Sequence, residues 1–291
     1  MPRFEIKRST IAPRAKTAAA VGLLLLLAAA AALCGCEHET EAEPLEWGLV
    51  WSDEFDGPAG QTPDASRWSF DIGTDWGNDQ LEYDTNRPEN VSLDGDGNLA
   101  IVAREESYEG RNYTSGRIKT DGHFAREGGR FEARLKLPVG QGLWPAFWLL
   151  GSNYADPAVG WPECGEIDIM EYRGQQPNIV HGSLHGPGYS GGAALTGSYT
   201  KSGEGFDADF HVFTIDWDED GITWLVDGIP YQTYTPNSLT GGRRWVFDHP
   251  FFIILNVAVG GNYVGPPNSS TVFPQTMLVD WVRVYGYRSG S

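Results

Sequence analysis

Apolar and polar residues alternate at period two through Phe131-Glu-Ala-Arg-Leu-Lys-Leu137, which predicts a strand with one face in a core and the other in solvent. Val91 to Arg104 reads as two strands around Asp94-Gly-Asp-Gly-Asn98. Phe213 to Tyr231 reads as strands punctuated by Asp220-Gly221 and Asp227-Gly228, both hairpin signals. Phe251 to Val259 is a nearly continuous apolar run, the pattern of a central strand covered on both faces. With 37 Gly and 18 Pro spread along the chain, turns are frequent and long helices scarce, and a helical turn is expected only around Asp64 to Trp68. Short strands spaced by turns over this length predict an all-β fold, a jelly-roll sandwich of two antiparallel sheets.

The N-terminus follows a different pattern. Arg3, Lys7, Arg8, Arg14 and Lys16 precede an apolar run from Ala18 to Leu33, too short and too rich in Ala for a membrane span. The run ends in Leu33-Cys34-Gly35-Cys36, which resembles a bacterial lipoprotein signal. Residues 1–35 are then a signal peptide, Cys36 is the lipidated residue, and the protein is held at the bacterial cell envelope facing the periplasm or the exterior. An ordinary secretory signal with incidental cysteines is the competing reading. Residues 36–46 form an acidic tether, and residues 47–291 show no second linker, repeat or low-complexity run, which predicts one domain.

Charge removes whole classes of partner. The chain has 21 Lys plus Arg against 39 Asp plus Glu, a net charge of −18, and a grip on nucleic acid needs a basic face instead. The first 35 residues carry five basic groups and one acidic, so their removal leaves 16 against 38 and a net charge of −22. A neutral polymer is indifferent to that charge; an anionic surface or polymer is repelled at low salt. Three Cys make no disulfide scaffold, and processing leaves Cys164 as the one thiol inside the domain, with no base beside it in sequence to activate it.

The chemistry concentrates in Trp161-Pro-Glu-Cys-Gly-Glu-Ile-Asp-Ile-Met-Glu171. Glu166 and Asp168 are two apart and share one strand face, with Ile167 and Ile169 on the other. Glu171 has the wrong parity, and a regular strand would bury its carboxylate with the isoleucines at high cost. A bulge near Ile169-Met170 adds one residue and returns Glu171 to the face of Glu166 and Asp168. Three carboxylates in a row repel one another, which raises at least one pKa. Glu166 and Glu171 then stand about four strand steps apart, roughly 13 Å between Cα atoms. Side chains leaning together close this to about 5–6 Å between carboxyls, the spacing of a retaining glycosidase.

Glu-Ile-Asp-Ile-Met-Glu after Trp161-Pro-x-x-Gly165 resembles the catalytic signature of family 16 of the glycoside hydrolases, and within it the laminarinase-type β-1,3-glucanases. The blocks 50–57, 115–120, 142–150, 210–228, 251–261 and 278–285 are similar to others of that family in the same order, so the likeness spans nearly the whole domain. It implies a concave sheet forming a sugar cleft, Glu166 as nucleophile, Glu171 as acid then base, and Asp168 as the carboxylate tuning the nucleophile. Met170, the extra residue of the bulge, marks the laminarinase type. Substrate contacts carried over are Trp144, Trp148 and Trp161 as stacking platforms, Arg117 as a donor fork with a surface ion pair as its competing reading, His185 near the acid/base, and Asn90, with Asn86 as its competitor and turn capping as the other reading of both. Core packing competes at each tryptophan, and Trp217, Trp224 and Trp281 are assigned to the core. Asn256, on the central run, is read as a cleft residue, with a satisfied buried amide as a close competitor. A zinc site on His181 and His185 is rejected, because four strand steps of about 13 Å separate them.

The resemblance also implies a structural Ca²⁺ held by Glu54 and Asp280, with a carbonyl near Gly97 as third ligand, against simple exposure of both carboxylates. No cofactor is implied for catalysis. The expected activity is endo-hydrolysis of β-1,3 links, with β-1,3-1,4 links as an extension, in glucans such as laminarin, by a monomer. Two other readings compete: a hydrolase or transglycosylase of the same fold acting on another polymer such as a galactan, and a non-catalytic glucan-binding surface protein.

Overall fold

The computed structural model describes residues 47–287; the expected signal peptide over residues 1–35, the expected tether over 36–46 and Cys36 lie outside them. Among the described residues no helix is long and apolar enough to cross a membrane.

Two sheets pack face to face. The seven-stranded sheet runs, in spatial order, Leu195–Thr200, Ile179–His185, Glu166–Tyr172, Leu143–Gly151, Phe251–Val259, Arg117–Lys119 and Ser69–Phe70, all antiparallel. The ten-stranded sheet is built around Gln275–Tyr287, flanked by Gly129–Lys136 and Leu99–Tyr108. One pairing departs from the expected antiparallel plan: Glu82–Asp84 runs parallel to Arg111–Ser115 at the sheet's edge.

The periodicity of the sequence reappears as burial. Along Gly129–Lys136 buried and half-buried residues alternate without a break. All nine residues of Phe251–Val259 are buried, because Ile253, Leu255 and Val257 enter the core between the sheets while alternate residues are covered by the cleft's own walls. Deleting a side chain from such a core costs about 2–5 kcal/mol, so these strands fix the position of their neighbours. The expected helical turn at Asp64 is a capped turn: the Trp68 N–H donates to the Asp64 carbonyl at 2.9 Å, and no helix follows.

The predicted bulge is present. Asp168 pairs with Ser183 and Glu171 with His181, three steps on one strand against two on its partner. Ile169 and Met170 are consequently both buried, and Glu171 emerges on the face of Glu166. The Trp224 indole, from the opposite sheet, donates to the Asp168 carbonyl at 2.7 Å and satisfies backbone at the irregularity. A second register shift, between Val279 and Trp281, turns Trp281 half out of the core, so its assignment there is corrected; Trp217 and Trp224 are core residues.

Candidate active site

A cleft of about 800 Å³ lies on the seven-stranded sheet, with Glu166, Asp168 and Glu171 on its floor. Gly165 makes the entry into this strand possible. It has φ +74°, and a Cβ there would stand 2.8 Å from the Phe251 ring. Chain entering through it places Trp161 above the strand, half exposed at 51 %, with its indole N–H donating to Glu166 Oε2 at 2.9 Å. Trp144 serves the other end and donates to Glu171 Oε1 at 3.0 Å. His185 stands 3.0 Å from Asp168 Oδ2 and 3.7 Å from Glu166 Oε1 through its Nε2, while Nδ1 of the neutral ring accepts the Gly191 N–H at 3.1 Å, a bond given up when the ring is protonated.

Electrostatics raise both glutamates. Burial, then the charge of Asp168, lifts Glu166 to about 7, against opposing contributions from His185, the Trp161 hydrogen bond and Arg117. The same two causes raise Glu171 well above the ordinary carboxylate range. Both therefore hold protons more tightly than a solvated carboxyl, the condition for one member of the pair to serve as acid while the other ionises. Burial works against a charged His185, but the hydrogen bond and charge of Asp168, then Glu166 and Glu171, outweigh it and bring the imidazole up to about 9.

The model of glycosyl hydrolases family 16 matches residues 71–283. The chain belongs to family 16 of the glycosyl hydrolases. It is 43 % identical over 248 residues to a beta-glucanase of Rhodothermus marinus, covering 82 % of this chain and 85 % of that one. Among solved structures, the laminarinase catalytic domain from Thermotoga maritima MSB8 aligns at a TM-score of 0.78 and 47 % identity, covering 84 % of this chain and 100 % of that one. The endo-beta-1,3-glucanase from Pyrococcus furiosus aligns at 0.79 and 46 %, covering 84 % and 97 %.

The family 16 cleft gathers most of the residues singled out in the sequence, at distinct places. Trp144, Trp148, Trp161, Arg117 and His185 all line it. Arg117 combines both of its readings: it pairs with Asp71 at 2.9 Å and lies between the rings of Trp76 and Trp148, 5.1 and 4.9 Å from their centroids. Asn256 does likewise, lining the cleft while its Oδ1 accepts the Trp148 N–H at 2.8 Å.

Two assignments are corrected. Asn90 does not face the cleft; it is fully buried, its amide donating to the Val102 carbonyl and to Thr114 at 3.0 Å each and its Oδ1 accepting from Thr85 at 2.7 Å. The amide is consumed in holding its own turn. Glu54 and Asp280 do not fit a calcium ion as they stand. Arg283 holds Glu54 through two hydrogen bonds, at 2.7 and 3.0 Å, and Arg134 pairs with Asp280, so an ion would have to displace guanidinium groups from both. Among the described residues one trio of metal-ligand types converges, Glu166, Asp168 and His185, within 4.8 Å of one another, and it coincides with the reacting groups. Cys164 is buried, and burial followed by the charge of Glu166 pushes its thiol up to about 12, which makes it inert.

Sequence reasoning missed Trp76, Arg173, Ser183 and Tyr263, all of which line the cleft. Ser183 was legible as the neighbour of the acidic row, two residues before His185 on a strand. Trp76 and Tyr263 sit in loops, where no periodicity indicates direction.

Proposed function

We propose that this family 16 enzyme is an endo-acting β-1,3-glucanase of the laminarinase type, working with retention of anomeric configuration. The observation that carries the reading is the row Glu166-Asp168-Glu171, brought onto one face by a single extra residue, with an indole N–H on each of its outer members.

In this reading ionised Glu166 attacks the anomeric carbon as Glu171 gives its proton to the departing oxygen; the C–O bond to the leaving sugar breaks and a glycosyl ester to Glu166 forms. Glu171, now a carboxylate, takes a proton from water, whose oxygen attacks the same carbon and releases Glu166. Trp161 and Trp144 each hold one carboxylate oxygen through an N–H, leaving the other oxygen of the group to react. Asp168, with His185, supplies charge that is felt by both glutamates. The open cleft and its indoles suit the apolar faces of a neutral glucan.

Laminarin hydrolysis followed by NMR tests the proposal: the first product is the β-anomer and Glu166→Gln is inactive, whereas initial α-anomer or an active Glu166→Gln enzyme would refute it. A parallel panel of lichenan, agarose and carrageenan separates the glucan reading from a galactan one. Export and anchoring through Cys36 complete the proposal, supported by the basic and apolar N-terminal segments alone. Cys36→Ser moves the protein from the membrane fraction to the soluble one; unchanged fractionation rejects the anchor.

A further inference from the structure

The row of cleft-facing side chains continues past Glu171. Arg173 follows two residues later and also lines the cleft, while Tyr172 between them is fully buried on the other side. The Arg173 guanidinium lies over the Tyr263 ring, 4.1 Å from its centroid, and Tyr263 packs 4.8 Å from Trp144, the indole that donates to Glu171. An aromatic wall thus runs from the proton donor to Arg173.

Charge pairing sets this arginine apart. Arg117 is held by Asp71, and Lys119 beside it by Asp71 and Asp121. Among the described residues Arg173 makes no ion pair within 4.0 Å, and its buried Nε has no hydrogen-bond partner. His181, whose ring is 6.2 Å from that of Tyr263, offers it no acceptor charge: burial, then Arg173 itself, lowers the imidazole pKa. In a chain of net charge −18, this guanidinium keeps its donors for whatever enters the cleft.

Glu171 protonates the oxygen that joins the sugars on either side of the cleaved bond, so the surface beyond it, away from Glu166, faces the departing sugar. We propose that Arg173, braced on Tyr263, is the donor of a leaving-group subsite and hydrogen-bonds hydroxyls of the neutral sugar that departs. The inference rests on the glucanase reading above. Stacking fixes the plane of the guanidinium fork before substrate arrives, so little freedom is lost on binding. A sulfated or carboxylated sugar is disfavoured there, because Glu166, Asp168 and Glu171 share the same floor.

Two substrates with one glycon separate this role from others: a β-1,3-gluco-oligosaccharide, and the glycosyl fluoride of its glycon half, which has no sugar beyond the bond. Arg173→Met keeps the stem and loses the donors. Its kcat/KM on the oligosaccharide falls about ten-fold or more, its kcat/KM on the fluoride stays within about two-fold, and transfer to an added acceptor sugar drops in parallel. Arg173→Lys recovers part of the loss. The alkaline limb of the oligosaccharide pH profile stays in place, since binding rather than Glu171 is altered. Equal losses on both substrates, no loss on the oligosaccharide, or a displaced alkaline limb each overturn the proposal. A wild-type enzyme that turns over neither substrate refutes the glucanase reading instead.

Discussion

Two acidic pairs with the same spacing lie on strands of this molecule, Glu166 with Asp168 in the cleft and Glu82 with Asp84 at the edge of the ten-stranded sheet. Burial is the leading cause of a raised pKa in both places, and it brings Glu82, like Glu166, to about 7. Asp84 is raised well above its ordinary range by burial and then by the charge of Glu82. The surroundings differ. Glu166 touches an indole and an imidazole and opens on a sugar-sized cleft; Glu82 is 1 % exposed and accepts the Val259 N–H at 2.7 Å, and Asp84 Oδ1 has no partner. A displaced pKa therefore marks a buried carboxyl of either kind, and access together with side-chain donors marks the catalytic one.

Removing the reacting groups gives the largest contrast. Glu171→Gln lowers kcat on laminarin by about 10²–10⁴, the usual contribution of a general acid, whereas Glu82→Gln leaves kcat within about three-fold. Steady-state assays on both variants decide it, and comparable losses would erase the distinction drawn here.

Asp168→Asn is the next largest effect. Its charge raises both Glu166 and Glu171, so its loss lets both pKa values fall and moves both limbs of the pH–rate profile to lower pH, with kcat reduced about 10–100-fold. A profile that loses height without moving would show that Asp168 positions rather than tunes.

The sealed pair acts on stability instead. A carboxyl with a raised folded pKa favours the fold below its unfolded pKa of 4.5, and this favour is lost as pH rises through about 7. Glu82→Gln mimics the protonated form, so its melting temperature relative to wild type is higher at pH 8 than at pH 5, a swing of up to about 3 kcal/mol in stability. Calorimetry at the two pH values measures it; a swing of the opposite sign contradicts the protonated assignment.

Trp224→Phe carries the smallest effect. It keeps the ring in the core and removes the donor to the Asp168 carbonyl, which costs about 1 kcal/mol of stability and loosens the bulge under the acidic row. Thermal melts and kcat read the two consequences together.

Strand parity made much of this legible. Phe131–Leu137 and Phe251–Val259 declare their faces in sequence, and the mismatch of Glu171 with Asp168 foretells the inserted residue. The same parity marks Glu82 and Asp84, and extends to Arg173, yet it does not say which pair is sealed, because that depends on what the opposite sheet and the loops place over it. Asn90 was misread for a related reason: a residue closing a turn can face either way, and here Arg87, Thr85 and Thr114 claim its amide. Trp281 was misread because a register shift in its own strand leaves no trace in the apolar pattern.

The indoles of Trp161 and Trp144 each touch one reacting carboxylate. Indole emission shifts when a charge appears or vanishes beside the ring, so the protein carries two optical reporters of its own proton inventory. Trp161, the more exposed of the pair, should also change colour as sugar covers it, and a fluorimeter can then follow arrival, proton transfer and departure on unlabelled enzyme.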